Sequence, residues 1–262
     1  MTTDRDSLKG RTALVSGGGR GTGRAISLSL AAQGAAVAVN FRRDASAAAA
    51  TVADIEAGGG QARAYQASVD DWEADQAMVA AVAADLGPID LLVNNAGIAS
   101  RGLNVADTDP AELERVVRTH AFGAHYLCKL VVPAMRACPR GDIIMISSVA
   151  ASQLSGWSGP YNMAKAALEA LAFTLAKEER DNGIRVNIVA PGLVVTAMGD
   201  RLAKAVMGVS QASDLDAVSP FGRVCRPDDV ADVVSYLVSD QAFYLTGQRI
   251  TVDGGGITPR RR

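Results

Sequence analysis

Tyr161 stands four residues before Lys165 in the stretch WSGPYNMAKAAL, on the first turns of an alanine-rich helix. Residues at i and i+4 share a helix face, so the two side chains meet. The pair fits either of two roles. It packs and is solvated like many surface Tyr/Lys pairs, or it does acid/base chemistry. A free tyrosine titrates near ~10, so it exchanges protons near neutrality only where a positive charge favours its phenolate.

A second constellation follows the first apolar run. SGGGRGTGRAI places Gly17, Gly21 and Gly23 in a G-x-x-x-G-x-G spacing, with Arg20 and Thr22 between them. A strand-to-helix turn of this kind lets the backbone approach a ligand, and the following helix presents free N–H groups and a positive dipole end to a pyrophosphate. About twenty residues on, a ribose with free hydroxyls calls for Asp or Glu. The chain instead reads Asn40, Phe41, Arg42, Arg43, and its first carboxylate is Asp44. Arg42 and Arg43, with Arg20, suit a 2'-phosphate, which favours NADP(H) over NAD(H); the alternative is that they solvate a helix start.

The elements that must position these residues are short β-branched runs separated by helix-length segments. They lie at 12–17, 36–41, 89–97, 142–148, 184–192 and 249–255, with a weaker one at 62–68. Near-continuous apolar strands alternating with helices predict an α/β Rossmann-like, doubly wound parallel sheet of about seven strands with helices on both faces. No repeat or linker divides the chain, so 1–262 reads as a single dinucleotide-binding and catalytic domain. The exception to the alternation is 193–223, which carries an apolar stripe of Leu202, Val206 and Val209. It reads as a substrate-side insertion over the carboxyl ends of the strands; alternatively Met198, Leu202 and Met207 are core.

The 262 residues are 48% hydrophobic and 21% charged, enough for a substantial core, and the formal net charge of −2 gives no electrostatic footprint for nucleic acid. Arg260, Arg261 and Arg262 read as a solvated end. Cys128, Cys138 and Cys225 are odd in number and lack C-x-x-C spacing, which suits a reducing compartment. No apolar stretch approaches ~18 residues and the amino-terminal residues are charged, so the expectation is a cytoplasmic protein without a membrane partner.

Taken together, the motifs resemble the short-chain dehydrogenase/reductase (SDR) family, over nearly the whole chain and in family order. They are the glycine turn, NNAG at 94–97, Ser148 thirteen residues before Tyr161, Tyr161-x-x-x-Lys165, Pro191-Gly192 followed by Thr196, and YLTGQRITVDGG at 244–255. The resemblance implies that Tyr161 is the general acid/base. It implies that Lys165 holds the nicotinamide ribose and lowers the tyrosine pKa, and that Ser148 hydrogen-bonds the substrate oxygen. It also implies that Asn94, Ala96 and Gly97 line the adenosine side, and that Pro191, Gly192, Val194 and Thr196 face the nicotinamide.

Two positions depart from the family pattern. His120 stands where an asparagine is usual, three before Gly123, and its ordinary pKa of ~6.5 would add a titration to the rate profile; the alternative is a satisfied buried histidine. Ser68, followed by Val69, stands where an aspartate usually contacts the adenine, which implies weaker adenine selection. His120 and His125 are five apart, off the helical i, i+4 spacing for a metal, so no metal site is expected.

The general pattern is most similar to 3-oxoacyl-(acyl carrier protein) reductases. It implies an NADP(H)-dependent oxidoreductase interconverting a ketone and a secondary alcohol, with Arg136, Arg140 and Lys177 as part of a face for an acidic carrier protein. The alternatives are an NAD-dependent sugar, polyol or steroid dehydrogenase of the same family, and a cofactor-sensing protein without turnover. A homotetramer packed through helices at 110–137 and 160–181 is implied as well.

Overall fold

The structure, a computed structural model, describes residues 7–256. The arginines at 260 to 262 and the first six residues lie outside the described residues. In chain order the elements begin with β1 (Thr12–Val15), α1 (Gly21–Ala32), β2 (Ala36–Phe41), α2 (Ala45–Ala57), β3 (Gln61–Gln66) and α3 (Trp72–Leu86). Next come β4 (Leu91–Asn94), α4 (Pro110–Val117), a π-helical turn (Arg118–Phe122), α5 (Gly123–Met135), β5 (Gly141–Ile146), α6 (Ala150–Gln153) and α7 (Gly159–Glu179). The chain closes with β6 (Ile184–Pro191), α8 (Ala197–Met207), α9 (Pro227–Val238) and β7 (Arg249–Val252).

The seven strands are all parallel in the order β3-β2-β1-β4-β5-β6-β7. Alternation within each strand sends neighbouring side chains to opposite faces. Leu14, Leu92, Ile143 and Met145 join Met78, Leu127 and Leu168 on the face covered by α3, α5 and α7. Val15, Val93, Ile144 and Ile146 join Ile26, Leu30, Ile55 and Val234 on the face covered by α1, α2 and α9. Helix starts are marked by Asp44, Asp71 and Asp109, whose side chains accept backbone N–H groups of the first turn.

The strand order reverses between β1 and β4. A crevice opens outside the carboxyl ends of the strands at such a reversal, and the glycine turn, NNAG and Ser148 all follow strand ends there. The opposite end of the sheet is tied by charge. Asp142 pairs with Arg11 at 2.7 Å, Arg140 at 2.8 Å and Arg185 at 2.6 Å, and Arg11 also pairs with Asp90 at 3.0 Å.

One feature differs from the sequence expectation, and one alternative reading falls. The helix expected over 110–137 is broken by the π turn at Arg118–Phe122, where the Thr119 hydroxyl donates to the Arg115 carbonyl oxygen at 3.0 Å. Such turns place an extra residue on the helix and recur at functional sites. In 193–223 the alternative of a core role for Met198, Leu202 and Met207 is not met: Leu202 and Met207 are exposed, as is Val206 of the stripe, Met198 is half-buried, and α8 packs through Ala203 onto Ala212 and Val224.

Candidate active site

β1 runs into the glycine turn, which other strand ends hold from outside. The Gly17 N–H donates to Asn40 Oδ1 at 3.1 Å, and the Asn95 amide donates to the carbonyl oxygens of Ser16 and Gly17 at 2.9 and 3.2 Å. A Cβ at Gly23 would collide with the Gly17 carbonyl, so the first turn of α1 lies directly against the loop. Asn40 and Asn95 are the supports that residue-by-residue reading missed. Asn95 lies inside NNAG, but its role needs the β1/β4 adjacency.

The side chains of Arg20, Arg42 and Arg43 are exposed and make no ion pair among the described residues. Arg20 is the N-cap residue of α1 and makes no side-chain cap bond. Ser68 donates to Asp70, beside buried Val69. Asn94 is buried with its amide turned to Cys128 Sγ and Met145 Sδ, and Ala96 and Gly97 follow on the open side. At the end of β6, Pro191 accepts the Val149 N–H at 3.0 Å and Val194 bridges to Cys225; Thr196 caps α8 through the Gly199 N–H at 3.0 Å.

β5 ends just before Ser148, and α7 brings Tyr161 and Lys165 to the same strand end. Burial raises the Tyr161 phenol above its ordinary pKa, and the neighbouring Ser148 hydroxyl opposes the rise. Lys165 is buried, its ammonium lies 5.7 Å from the centroid of the Tyr161 ring, and it donates to the Ile146 carbonyl oxygen at 2.7 Å. Burial pushes its pKa down to about 7, against the attraction of Glu169.

The π turn carries His120 to this group. Its ring stands edge-on to Tyr161 with centroids 5.3 Å apart, and a Cβ at Gly97 would lie 2.6 Å from His120 Cε1, so only glycine fits beside the ring. Nε2 lies 2.8 Å from the Ile98 carbonyl oxygen, and Nδ1 is buried without a protein partner among the described residues. A cavity of about 10 Å³ lined by Ser16, Asn94, Thr119 and His120 has room for one water. Burial, with Lys165 next, pushes the imidazole down to about 3, so it stays neutral at physiological pH and the titration near neutrality expected from sequence is removed.

The structure thus brings Ser148, Tyr161, Lys165 and His120 together at the crevice where the glycine turn opens. A model described as enoyl-(acyl carrier protein) reductase matches residues 17–256. An uncharacterised oxidoreductase of Methylorubrum extorquens is 38% identical over 256 residues, covering 95% of this chain and 98% of its own length. A 3-oxoacyl-(acyl-carrier-protein) reductase of Staphylococcus aureus is 36% identical over 245 residues, covering 94% of this chain and 97% of its own.

The chain belongs to the short-chain dehydrogenase/reductase family. Its fold matches that of a 7α-hydroxysteroid dehydrogenase complexed with NADH and 7-oxoglycochenodeoxycholic acid, with a TM-score of 0.88, 31% identity and 99% of both chains covered. SDR proteins are oxidoreductases acting on CH–OH groups with NAD(P), and that coarse activity holds for this member.

Of the carrier-protein face expected from sequence, Lys177 is exposed while both arginines are engaged by carboxylates. Arg136 forms a two-pronged pair with Glu179 at 2.8 and 2.5 Å, and Arg140 is spent on Asp142 and Asp240. Both arginines flank the start of β5, the end of the sheet away from Ser148. Among the described residues no helix is long and apolar enough to cross a membrane.

Proposed function

We propose that this SDR is an NADP(H)-dependent ketoreductase that interconverts a 3-oxoacyl thioester and the corresponding secondary alcohol. The observation that carries the reading is the Lys165 ammonium, buried 5.7 Å from the centroid of the Tyr161 ring, with Ser148 beside the phenol at the open end of the sheet.

The crevice fits a dinucleotide. The glycine turn keeps backbone, not side chains, at the α1 N-terminus, and three arginines without ion-pair partners among the described residues flank it, a charge set suited to a 2'-phosphate. Gly17, Gly21, Thr22, Gly23, Ala96, Gly97 and Thr196 would hold the cofactor, with Lys165 at its ribose. The bound dinucleotide supplies the hydride carrier.

In reduction, Tyr161 Oη gives its proton to the carbonyl oxygen as that oxygen becomes negative; in oxidation it takes the proton back. Ser148 Oγ donates a hydrogen bond to the same oxygen, which fixes its position and favours the developing charge. The Lys165 ammonium favours the phenolate that Tyr161 leaves behind. Neutral His120 holds the Ile98 backbone and adds no proton exchange near neutrality.

The thioester substrate is supported by the likeness to the S. aureus reductase. A second reading, an NAD-dependent hydroxysteroid dehydrogenase, is favoured by the likeness to the NADH-bound 7α-hydroxysteroid dehydrogenase. Initial rates with an acetoacetyl thioester and with a 7-oxo bile acid, each with NADPH and NADH, separate them. Thioester reduction by NADPH supports the first, and bile-acid reduction by NADH replaces it with the second.

A further inference from the structure

Three consecutive residues at the end of β5 are held by three different side chains. Lys165 donates to the Ile146 carbonyl oxygen at 2.7 Å, and the Ser147 hydroxyl donates to Glu169 Oε1 at 2.6 Å. Arg249 Nη2 donates to the Ser148 carbonyl oxygen at 3.2 Å. Arg249 also grips Glu169, its Nε lying 2.9 and 3.1 Å from the two carboxylate oxygens, and is anchored through Nη1 on Thr251 Oγ1 at 2.7 Å. Glu169 lies on the Tyr161/Lys165 face of α7, and Arg249 reaches it from β7.

The charges around Lys165 give this arrangement a direction. Tyr161 and Glu169 flank it on α7, neutral His120 faces it from the π turn with Arg115 of α4 beyond, and Arg249 stands behind Glu169 from β7. β5 and β6 contribute Asp142 and Arg185, which pair with each other at the far end of the sheet, and α6 has no titratable group. Glu169 is therefore the carboxylate that opposes the burial of Lys165. It lies two helical turns, ~12 Å along the axis, from Tyr161, with Lys165 one turn from each. Its influence on the phenol consequently runs through Lys165.

We propose that Glu169 and Arg249 are a positioning pair for the reaction. Glu169 keeps Lys165 in its ammonium form and seats Ser147, and Arg249 fixes the Ser148 peptide so that the serine hydroxyl stays beside Tyr161. Neither touches the reacting atoms. The inference rests on the acid/base reading of Tyr161.

The test is the pH dependence of kcat/KM for alcohol oxidation in wild type, Glu169→Gln, Arg249→Gln, Arg249→Lys and Tyr161→Phe, with melting curves alongside. Glu169→Gln is expected to move the rising limb upward by about half a pH unit or more and to lower kcat with little change in KM. Arg249→Gln, which frees Glu169 from its counter-cation, is expected to lower kcat with no upward shift, and Arg249→Lys to restore part of it. A Glu169→Gln limb superimposed on the wild-type one overturns the pair, even if stability falls. Where Glu169→Gln does not fold, an upward shift in Arg249→Gln overturns it instead.

Tyr161→Phe with wild-type turnover sinks the acid/base reading itself, which keeps the two failures apart. Where no alcohol is turned over, the ultraviolet phenolate band decides, as the difference between each background and its Tyr161→Phe counterpart. A later phenolate onset in Glu169→Gln is expected, and coincident onsets contradict the proposal.

Discussion

The His120 imidazole stands edge-on to the Tyr161 phenol, with ring planes at 88° and centroids 5.3 Å apart. A histidine placed there is chemically useful only in a fixed protonation state, and burial holds it neutral.

That neutrality has a stability signature. His120 has its folded pKa at about 3 against 6.5 when free, so the unfolded chain binds a proton that the folded one refuses. Its contribution is full above ~6.5 and is lost progressively as pH falls toward 3, by a few kcal/mol on the order of the shift. In chemical denaturation at a series of pH values, the His120 contribution, isolated as the difference between wild type and His120→Asn, is expected to rise from pH ~4 to ~6.5. His120→Asn should leave the rate profile without a new limb near neutrality.

Asp75 acts in the opposite sense. It occupies the core stripe of α3 with Met78 and Val82, and neither carboxylate oxygen has a partner among the described residues. Burial, with Asp71 and Asp70 nearby, pushes its pKa up to about 7 from 3.8. The folded chain holds a proton that the unfolded chain releases, so destabilisation is absent below ~4, grows up to ~7 and is constant above. Asp75→Leu is expected to raise the melting temperature at pH 8, on the order of 2–4 kcal/mol of stability, and to change little at pH 4.

The paired carboxylate at the far end of the sheet behaves differently again. Asp142 is buried among Arg11, Arg140 and Arg185; Asp142→Ala strands Arg185, while Arg11 keeps Asp90 and Arg140 keeps Asp240, and is expected to cost about 3–5 kcal/mol in urea denaturation. The turnover of molecules that remain folded should be unchanged, because the site lies at the other end of the strands.

Cofactor choice is the task assigned to Arg42 and Arg43. Replacing both by serine is expected to weaken NADPH binding at least tenfold, about 1.4 kcal/mol or more, with NADH affinity nearly unchanged, as read by fluorescence titration. Equal loss for both cofactors would remove the 2'-phosphate assignment.

Much of the fold was legible because its strands are covered on both faces and read as β-branched runs. β2 and β5 fall within a residue of their expected starts, and the weak run at 62–68 is the edge strand β3. The Ser148, Tyr161 and Lys165 cluster was legible through family spacing. The π turn was not, since helical periodicity at 110–137 gives no sign of one extra residue. Glu169 and Arg249 are eighty residues apart in sequence, so their pairing on the Ser147-Ser148 peptide needs the β6/β7 and β5/α7 packing to appear. Arg136 and Arg140 read as free basic residues because Glu179 and Asp240, which they engage, are distant in sequence.

The most direct test of the account is the steady-state rate of NADPH oxidation by an acetoacetyl thioester, wild type against Tyr161→Phe. The account predicts rapid turnover by wild type and a loss of at least a hundredfold in kcat for the variant, in the range of a positioned acid/base, with NADPH binding retained. A Tyr161→Phe enzyme that reduces the thioester at the wild-type rate would contradict it.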